Sequence, residues 1–289
     1  MLDIALIEHF DEHWYKVEHE GLTYFCPSVT TKLGIIDKPF LARWRGDIGN
    51  READMRSYEA SAKGSRIHWS WEVILKGGVV IYDPWQRPVY SPQQIEQLRQ
   101  EYKDVSILRT QEEMLHIRRL NDQFNILNPK VLAVEVKVYD LEKRDAGTID
   151  NVLSVQRGEY AIAGSKPLKL PAGIYINDLK TGHQVDDEDV WLQLAPYAKM
   201  YEDIYKVKVA GALVTHTNAK TKSGVAGLNT LVRTREQLMD EDYPAYRLAA
   251  GLWERKHKDD MPKNLIIPSL ISLKTNTKEL NPWLDTATL

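Results

Sequence analysis

The chain has 289 residues, of which 43% are hydrophobic and 27% charged, and its formal net charge is −3. These values are ordinary for a globular protein; they exclude binding to nucleic acid by bulk charge, although a local basic cleft is compatible with them. The single cysteine, Cys26, excludes an intramolecular disulfide and any iron–sulfur or zinc site built from several thiolates.

One cysteine also fits a reducing compartment. The acidic start, MLDIALIEHFDEHW, lacks the basic region of a signal peptide. No run approaches the roughly 20 apolar residues of a membrane span. We therefore expect a soluble, cytoplasmic protein with no membrane partner.

The N-terminal half predicts a small strand meander followed by helices. Apolar and polar residues alternate in HWYKVEHEGLTYF, within the first 25 residues. Residues 37–76 carry apolar positions three and four apart, which predicts a helix. A short strand, a proline-marked loop and a helix that begins at Ser91 follow. Residues 107–126 predict a further helix.

The second half predicts a sheet. Three strands are predicted in series, at residues 131–140, 147–156 and 173–180. They are followed by a helix over 187–205, a strand over 208–217 with a partner at 226–232, a last helix from Thr234, and an apolar tail from Met261. This order predicts an α/β fold with a central mixed β-sheet flanked by helices.

We expect residues 1–289 to form a single domain with three parts. The first, to about residue 125, is mostly helical with the small meander. The sheet core covers about 126–235, and a C-terminal helix and tail cover about 236–289.

The stretch IYINDLKTG places Asp178 and Lys180 two residues apart at the end of a predicted strand. Both side chains point to the same face, because side chains alternate along a strand. They form either a weak surface ion pair or a metal-binding carboxylate beside a lysine that acts on phosphate. Asp150, at the end of GTID, either caps a turn or lies beside Asp178 and binds the same cation.

Two helical pairs complete the set of candidates. Gln193 and Tyr197 are four residues apart and share a helix face, although the aromatic content of this helix also fits a core position. His68 in GSRIH lies on a predicted helix, with Glu72 one turn later. A lone helical histidine is more often structural than a ligand.

Taken in order, GSRIH, GTID, NDLK and Gln-x-x-x-Tyr resemble the motifs of the PD-(D/E)XK nucleases of the RecB type. That family includes the RecB nuclease domain, phage-type exonucleases and mitochondrial genome maintenance exonucleases. The stretch CPSVTTKLGIIDKPFLARW is similar to the opening of the phage and mitochondrial members. The resemblance runs from about Pro27 to Tyr201 and implies a restriction-endonuclease-like core.

The resemblance implies a metal-dependent DNA exonuclease in a bacterial or phage-infected cell. His68, Asp150 and Asp178 would bind Mg²⁺ or Mn²⁺, and the Leu179 carbonyl would be a further ligand. Lys180 would be the catalytic lysine. The family's iron–sulfur branch uses four cysteines, so we expect no iron–sulfur cluster in this chain, which has one.

The resemblance further implies that Gln193 and Tyr197 lie against the phosphate of the scissile strand. Glu135 on the first predicted core strand is either an additional ligand or base, or a solvated strand residue, and the solvated position is favoured. Glu72 is a further candidate ligand.

The implied partner is DNA, as single strands or ends, in recombination, repair or phage DNA metabolism. Candidate phosphate contacts, each of which also fits an ordinary surface charge, are Arg43, Arg45, Arg66, Lys220 and Lys222. A single-strand-binding or recombination protein is a candidate partner. The alternatives are a structure-selective endonuclease on the same core and a non-catalytic DNA-binding subunit.

Three features bear on the shape of the site. The long segment between Asp150 and Asp178 predicts an extra hairpin over the site. Pro196 lies inside the helix of the Gln-Tyr pair, where its missing N–H predicts a kink or a helix start near Ala195. By analogy with phage-type exonucleases, the helical N-terminal half is expected to arch over the site and thread a single strand.

Overall fold

The computed structural model of the chain describes residues 3–9, 12–161, 167–183, 185, 187–220, 226–258 and 260–262. Its strands are β1 (Asp3–His9), β2 (Glu12–His19), β3 (Leu22–Pro27), β4 (Val79–Tyr82), β5 (Val105–Leu108), β6 (Lys130–Asp140), β7 (Asp145–Val155), β8 (Gly158–Tyr160), β9 (Leu168–Leu170), β10 (Gly173–Lys180), β11 (Gly211–Lys220) and β12 (Ala226–Thr234). Its helices are α1 (Val29–Leu33), α2 (Pro39–Ile48), α3 (Asn50–Leu75), α4 (Pro92–Glu101), α5 (Gln111–Leu127), α6 (Asp187–Tyr205), α7 (Arg235–Gln237) and α8 (Tyr243–Lys256). Within these ranges, every helix is too short or too polar to cross a membrane.

The centre of the fold is a five-stranded sheet in the order β12-β11-β10-β7-β6. Strands β10 and β11 are parallel, and the other neighbouring pairs are antiparallel. Helix α6 joins the parallel pair, since parallel neighbours need a crossover of a dozen or more residues. The predicted α/β fold with a mixed sheet and flanking helices is confirmed.

Helices cover both faces of this sheet. On one face, α6 and α8 pack against a cluster that includes Ile176 and Val214. On the other face, Trp71 of α3 and Leu120 of α5 pack against Leu179. Neighbouring residues of β10 therefore lie in different layers, because strand side chains alternate.

The predicted N-terminal meander is confirmed as the antiparallel sheet β1-β2-β3. Glu20 and Gly21, between β2 and β3, both have positive φ, at 51° and 77°, which is the backbone of a tight hairpin turn. Tyr15 and Cys26 pack with Ala146 at the start of β7. The meander is thereby held against the end of the central sheet.

The helical part differs from the prediction of one helix over 37–76. It is divided at Gly49, whose φ of 85° ends α2 and precedes α3. A residue in this left-handed region breaks the helix, and glycine adopts it without steric cost. Helix α2 buries no residue, and most of residues 54–61 in α3 are exposed. This part of the molecule therefore projects from the core.

The prediction of helix over 107–126 is wrong at its beginning. Val105–Leu108 form strand β5, which pairs in parallel with β4. The helix starts only after Thr110, whose side chain accepts a hydrogen bond from the Glu113 N–H while Glu113 bonds back to the Thr110 N–H. This reciprocal cap fixes the N-terminus of α5.

The hairpin predicted between the two core strands exists as β8 and β9, but its described part does not lie over the site. It leaves β7 after Val155 and returns at Gly173. Gly173 is five residues before Asp178 on β10, about 17 Å at 3.3–3.4 Å per residue. Leu168 and Leu170 pack instead into an apolar cluster at that end of the sheet.

Helix α6 runs without a break from Asp187 to Tyr205 and contains Pro196 in its interior. A helix start near Ala195 is therefore wrong. Leu194 and Tyr201, on either side of the proline, are both buried in the same cluster. Burial of both halves offsets the roughly 3 kcal/mol that an interior proline costs.

The C-terminal helix begins as predicted, at Thr234, whose hydroxyl caps the N–H of Gln237. A π-helical turn, Leu238–Asp242, then precedes α8. A π-helical turn is wider than an α-helical one and interrupts a regular helix. Pro244 follows it near the start of α8, where the missing backbone N–H of proline is tolerated. The apolar tail beyond residue 262 lies outside the described residues.

Candidate active site

Two aspartates lie side by side on the neighbouring strands β7 and β10. The register pairs Asn151 with Asn177 as the last pair of the ladder, which puts Asp150 opposite Asp178. The Asp150 side chain continues the pairing, because its Oδ2 accepts a hydrogen bond from the Leu179 N–H at 2.7 Å. Opposite residues in antiparallel strands have Cβ atoms about 4.5–5.5 Å apart, so the two carboxylates are close enough for the charge of Asp178 to raise the pKa of Asp150.

Helix α3 brings His68 to this pair. The Nδ1 of His68 lies 3.5 Å from Asp150 Oδ2. The helix can approach closely because Gly64 faces the Thr181 hydroxyl; an added Cβ at Gly64 would lie 3.2 Å from that oxygen. Ile67 is buried beside Leu179. The glycine four residues before the histidine thus permits the close contact between helix and strand.

Lys180 lies between a carboxylate and an amide. Its Nζ is 2.8 Å from Asp178 Oδ2 and donates a hydrogen bond to Gln193 Oε1 at 3.4 Å. The Asp178 Oδ2 atom is buried and receives no aligned hydrogen bond from any described residue. Burial alone would lower the pKa of Lys180, but the neighbouring Asp178 carboxylate outweighs it and raises that pKa. Lys180 is therefore a charged group at neutral pH.

Tyr197 lies beneath the site rather than on its surface, since 4% of the residue is exposed. Its ring packs on Gly147, where an added Cβ would lie 2.1 Å from Tyr197 Cε1. Burial raises the pKa of its hydroxyl well above the ordinary value. In this position Tyr197 supports β7, and the glycine of the GTID motif is the point of close approach.

Glu135 lies beside the candidate site, contrary to the solvated position that the sequence favoured. It is half-buried and lines a small pocket with His68, Glu72 and Asp150. Burial raises its pKa to about 7, and the nearby carboxylates of Asp150 and Glu72 add to the shift. Its φ of 53° lies in the left-handed region, which is uncommon for a residue other than glycine and is concentrated at functional sites.

The pocket is small and negatively charged. Its volume of about 10 Å³ is on the order of that occupied by a single water molecule. Burial raises the pKa of Asp150, His68 opposes the shift, and the Asp178 carboxylate increases it. Glu72 forms an ion pair with Lys76. The carboxylates around Asp150 thus have fewer cations than charges to balance.

Two of the basic residues predicted to contact DNA have acidic partners. Arg45 pairs with Asp54 at 2.7 Å, and Arg66 pairs with Glu113 at 2.6 Å. Arg43 and Lys220 are exposed. Lys222 lies outside the described residues.

A groove beside Lys180 contains residues that the sequence did not single out. Lys38, Phe40 and Asp189 line it, together with Lys180 and Gln193. The sequence KPF could have drawn attention to Phe40, because a large aromatic residue there follows a proline in the first turn of a helix. The sequence does not show which surface that residue reaches, because the groove joins segments far apart in the chain.

Among the described residues, no group of three His, Cys, Asp or Glu side chains is already arranged around a common metal position. The Leu179 carbonyl and the phosphate contacts of Gln193 and Tyr197 stay predictions. Neither the models of known protein families nor the curated proteins with which the sequence was compared match it.

Proposed function

We propose that the chain is a metal-dependent deoxyribonuclease that hydrolyses phosphodiester bonds in single strands or at DNA ends. The observation that carries the proposal is the convergence of His68, Asp150, Asp178 and Lys180 from three elements. The proposal includes a restriction-endonuclease-like core and membership of the PD-(D/E)XK nucleases, which the ordered motifs resemble.

The residues fit a hard divalent cation. His68 offers an imidazole nitrogen, and Asp150 and Asp178 offer carboxylate oxygens, one of which is buried without an aligned hydrogen-bond donor. Carboxylate oxygens are the ligands that Mg²⁺ prefers, and imidazole nitrogen is compatible with Mn²⁺. When bound, such an ion lowers the pKa of a water ligand and polarises the phosphodiester.

Lys180 provides the positive charge that the chain itself contributes to the reaction. Its raised pKa keeps the ammonium protonated, so it acts as a point charge rather than a base. It can orient the attacking water or offset the charge that develops on the phosphoryl oxygens. The hydrogen bond to Gln193 and the ion pair with Asp178 hold the ammonium in place.

In the hydrolysis, the water oxygen forms a bond to phosphorus while the bond from phosphorus to the leaving sugar oxygen breaks. One proton leaves the attacking water, and one is taken up by the leaving oxygen. No residue becomes covalently attached. Glu135, with its pKa of about 7, lies in the pocket with Asp150, where a carboxylate can exchange a proton with water.

The test is degradation of end-labelled single- and double-stranded DNA with Mg²⁺, Mn²⁺ or EDTA. Lys180→Ala should reduce the rate by about 10²–10³-fold, as loss of one charge-stabilising group does. Lys199→Ala is the matched control, because Lys199 lies on α6 and forms an exposed ion pair with Asp203. Cleavage that survives both EDTA and Lys180→Ala would contradict the proposal.

A covalently closed circular substrate separates the two nuclease alternatives. An exonuclease leaves it intact, whereas an endonuclease cuts it. DNA binding without cleavage of any substrate would instead favour a non-catalytic DNA-binding subunit.

A further inference from the structure

A groove of about 860 Å³ opens beside the candidate active site. It lies between α1, the beginning of α2 and the first turns of α6. Lys180 and Gln193 line it together with Leu33, Phe40 and Val190. The groove therefore adjoins the lysine that is proposed to act on the scissile phosphate.

Both lysines of the groove already have an acidic partner. Lys38 forms an ion pair with Asp189 at 2.7 Å across it, and Lys180 is paired with Asp178 at 2.8 Å. Glu188 adds a further carboxylate to the lining. A site for phosphate would contain excess positive charge, so this groove suits an uncharged part of a ligand.

Phe40 is the aromatic side chain of this lining. It is 48% exposed, although a phenylalanine is usually buried. Leu33 and Val190 lie in the same lining, as does Gln193, whose Oε1 accepts a hydrogen bond from Lys180. An exposed aromatic face in a cleft is the chemistry on which an unpaired nucleobase stacks.

We infer that Phe40 stacks on the terminal base of a single DNA strand and so selects unpaired ends. This inference rests on the proposed nuclease function and assigns Phe40 a role in specificity rather than in catalysis. The volume of the groove is within the roughly 300–1,000 Å³ of small-ligand clefts, which suits a terminal nucleotide. A base that is paired in a duplex does not offer its face to a side chain, so a blunt duplex end must fray before it enters.

The experiment measures binding of oligonucleotides to Lys180→Ala protein with Mg²⁺, a background in which cleavage is suppressed. Each strand carries 2-aminopurine or an abasic residue at its 5′ or its 3′ end. Phe40→Ala should weaken binding of the base-bearing end by roughly 5- to 150-fold, the range for loss of one base–aromatic stack. Quenching of the 2-aminopurine fluorescence should be lost as well.

The abasic strand is the control that separates stacking from folding, because Phe40→Ala should leave its affinity unchanged. Phe40→Trp should retain quenching. Tyr58→Ala is the matched surface control, since Tyr58 is 76% exposed on α3 and does not line the groove. The end that responds is the one that enters the groove.

Equal weakening of the base-bearing and abasic strands would overturn the inference and leave the nuclease proposal intact. Unchanged quenching in Phe40→Ala would do the same. Absence of binding to any oligonucleotide would overturn both.

Discussion

Two aspartates on β7, five residues apart, have opposite surroundings: Asp145 is buried, whereas the side chain of Asp150 is 19% exposed. Asp145 accepts hydrogen bonds from Lys32 at 2.5 Å and from Arg247 at 3.0 Å. Lys32 also donates to Glu254 at 2.6 Å and to the Lys143 carbonyl at 3.0 Å. Each charge in this network has an opposite charge beside it, as burial of ionised groups requires.

Asp150 has less compensation, since the hydrogen bond it accepts comes from the neutral N–H of Leu179. Its nearest cationic candidate is His68 at 3.5 Å, and the carboxylate of Asp178 raises its pKa further. Glu135 lines the same pocket. A carboxylate with its own cations stabilises the fold, whereas carboxylates gathered with too few cations are the ones proposed here to bind a cation from solution.

The backbone differs between the two positions as well. Near Asp145 the ladder with β6 is regular. At Asp150 the alternation of side chains between the two faces of β7 is interrupted. Ile149 and Val152 are three residues apart, yet both belong to the same apolar cluster. Regular alternation would put them on opposite faces. The left-handed Glu135 lies across from this point, and such strain of about 1–3 kcal/mol is typical of functional sites.

The largest expected effect is a difference in the free energy of unfolding between the variants in which either aspartate is replaced by asparagine. Asp145→Asn should reduce the free energy of unfolding by about 3–5 kcal/mol, because it leaves Lys32 buried beside fewer negative charges. Asp150→Asn should leave stability unchanged or slightly raised, since it relieves repulsion between carboxylates. Urea denaturation of both variants measures the difference. Equal destabilisation by the two substitutions would contradict the division into a structural and a functional aspartate.

The second prediction concerns the metal. Mg²⁺ or Mn²⁺ at about 100 times its dissociation constant should stabilise the native chain by about 2.7 kcal/mol, through binding to the folded state alone. The stabilisation should vanish in Asp150→Asn and persist in Glu159→Gln, a control on the distant hairpin. Thermal melts with added metal and after chelation measure it. Equal stabilisation of Asp150→Asn would place the cation elsewhere.

His116, like Asp145, is a buried ionisable group, but its lowered pKa keeps it neutral at pH 7. It is 1% exposed and its Nδ1 lies 2.7 Å from the Thr217 hydroxyl. Burial is the largest cause that lowers its pKa to about 4, and the charges of Arg119 and Lys63 add to it. This arrangement predicts the smallest of the three effects.

Because the folded pKa is lowered, the unfolded chain binds the proton first. The stability that neutral His116 contributes is fully present above the unfolded pKa of about 6.5, and it is lost as the pH falls towards the folded pKa of about 4. The loss at pH 5 should be about 1–2 kcal/mol after allowance for solvent screening. His116→Asn should reduce this loss, which denaturation at pH 7.5 and pH 5 measures. An unchanged pH dependence would show that other groups cause the acid sensitivity.

Local signals predicted most of the elements around the site. The alternation in β6 and β10, the caps at Ser91 and Thr234, and the period of α6 each act within a few residues. The predictions that were wrong involve competition between local patterns and packing. The pattern at Val105–Leu108 yields to pairing with β4, and Pro196 is held inside α6 by burial on both sides.

The sequence by itself determined the residue types and the order of the motifs, since Asp178 and Lys180 share a face wherever their strand lies. Only the tertiary structure decided that His68 reaches Asp150, that Glu135 joins the pocket and that Phe40 lines the groove. The partners of Asp145 were equally hidden, because Lys32 is 113 residues away. Contacts between distant segments depend on how whole helices and strands pack, and packing is a property of the complete chain rather than of any stretch within it.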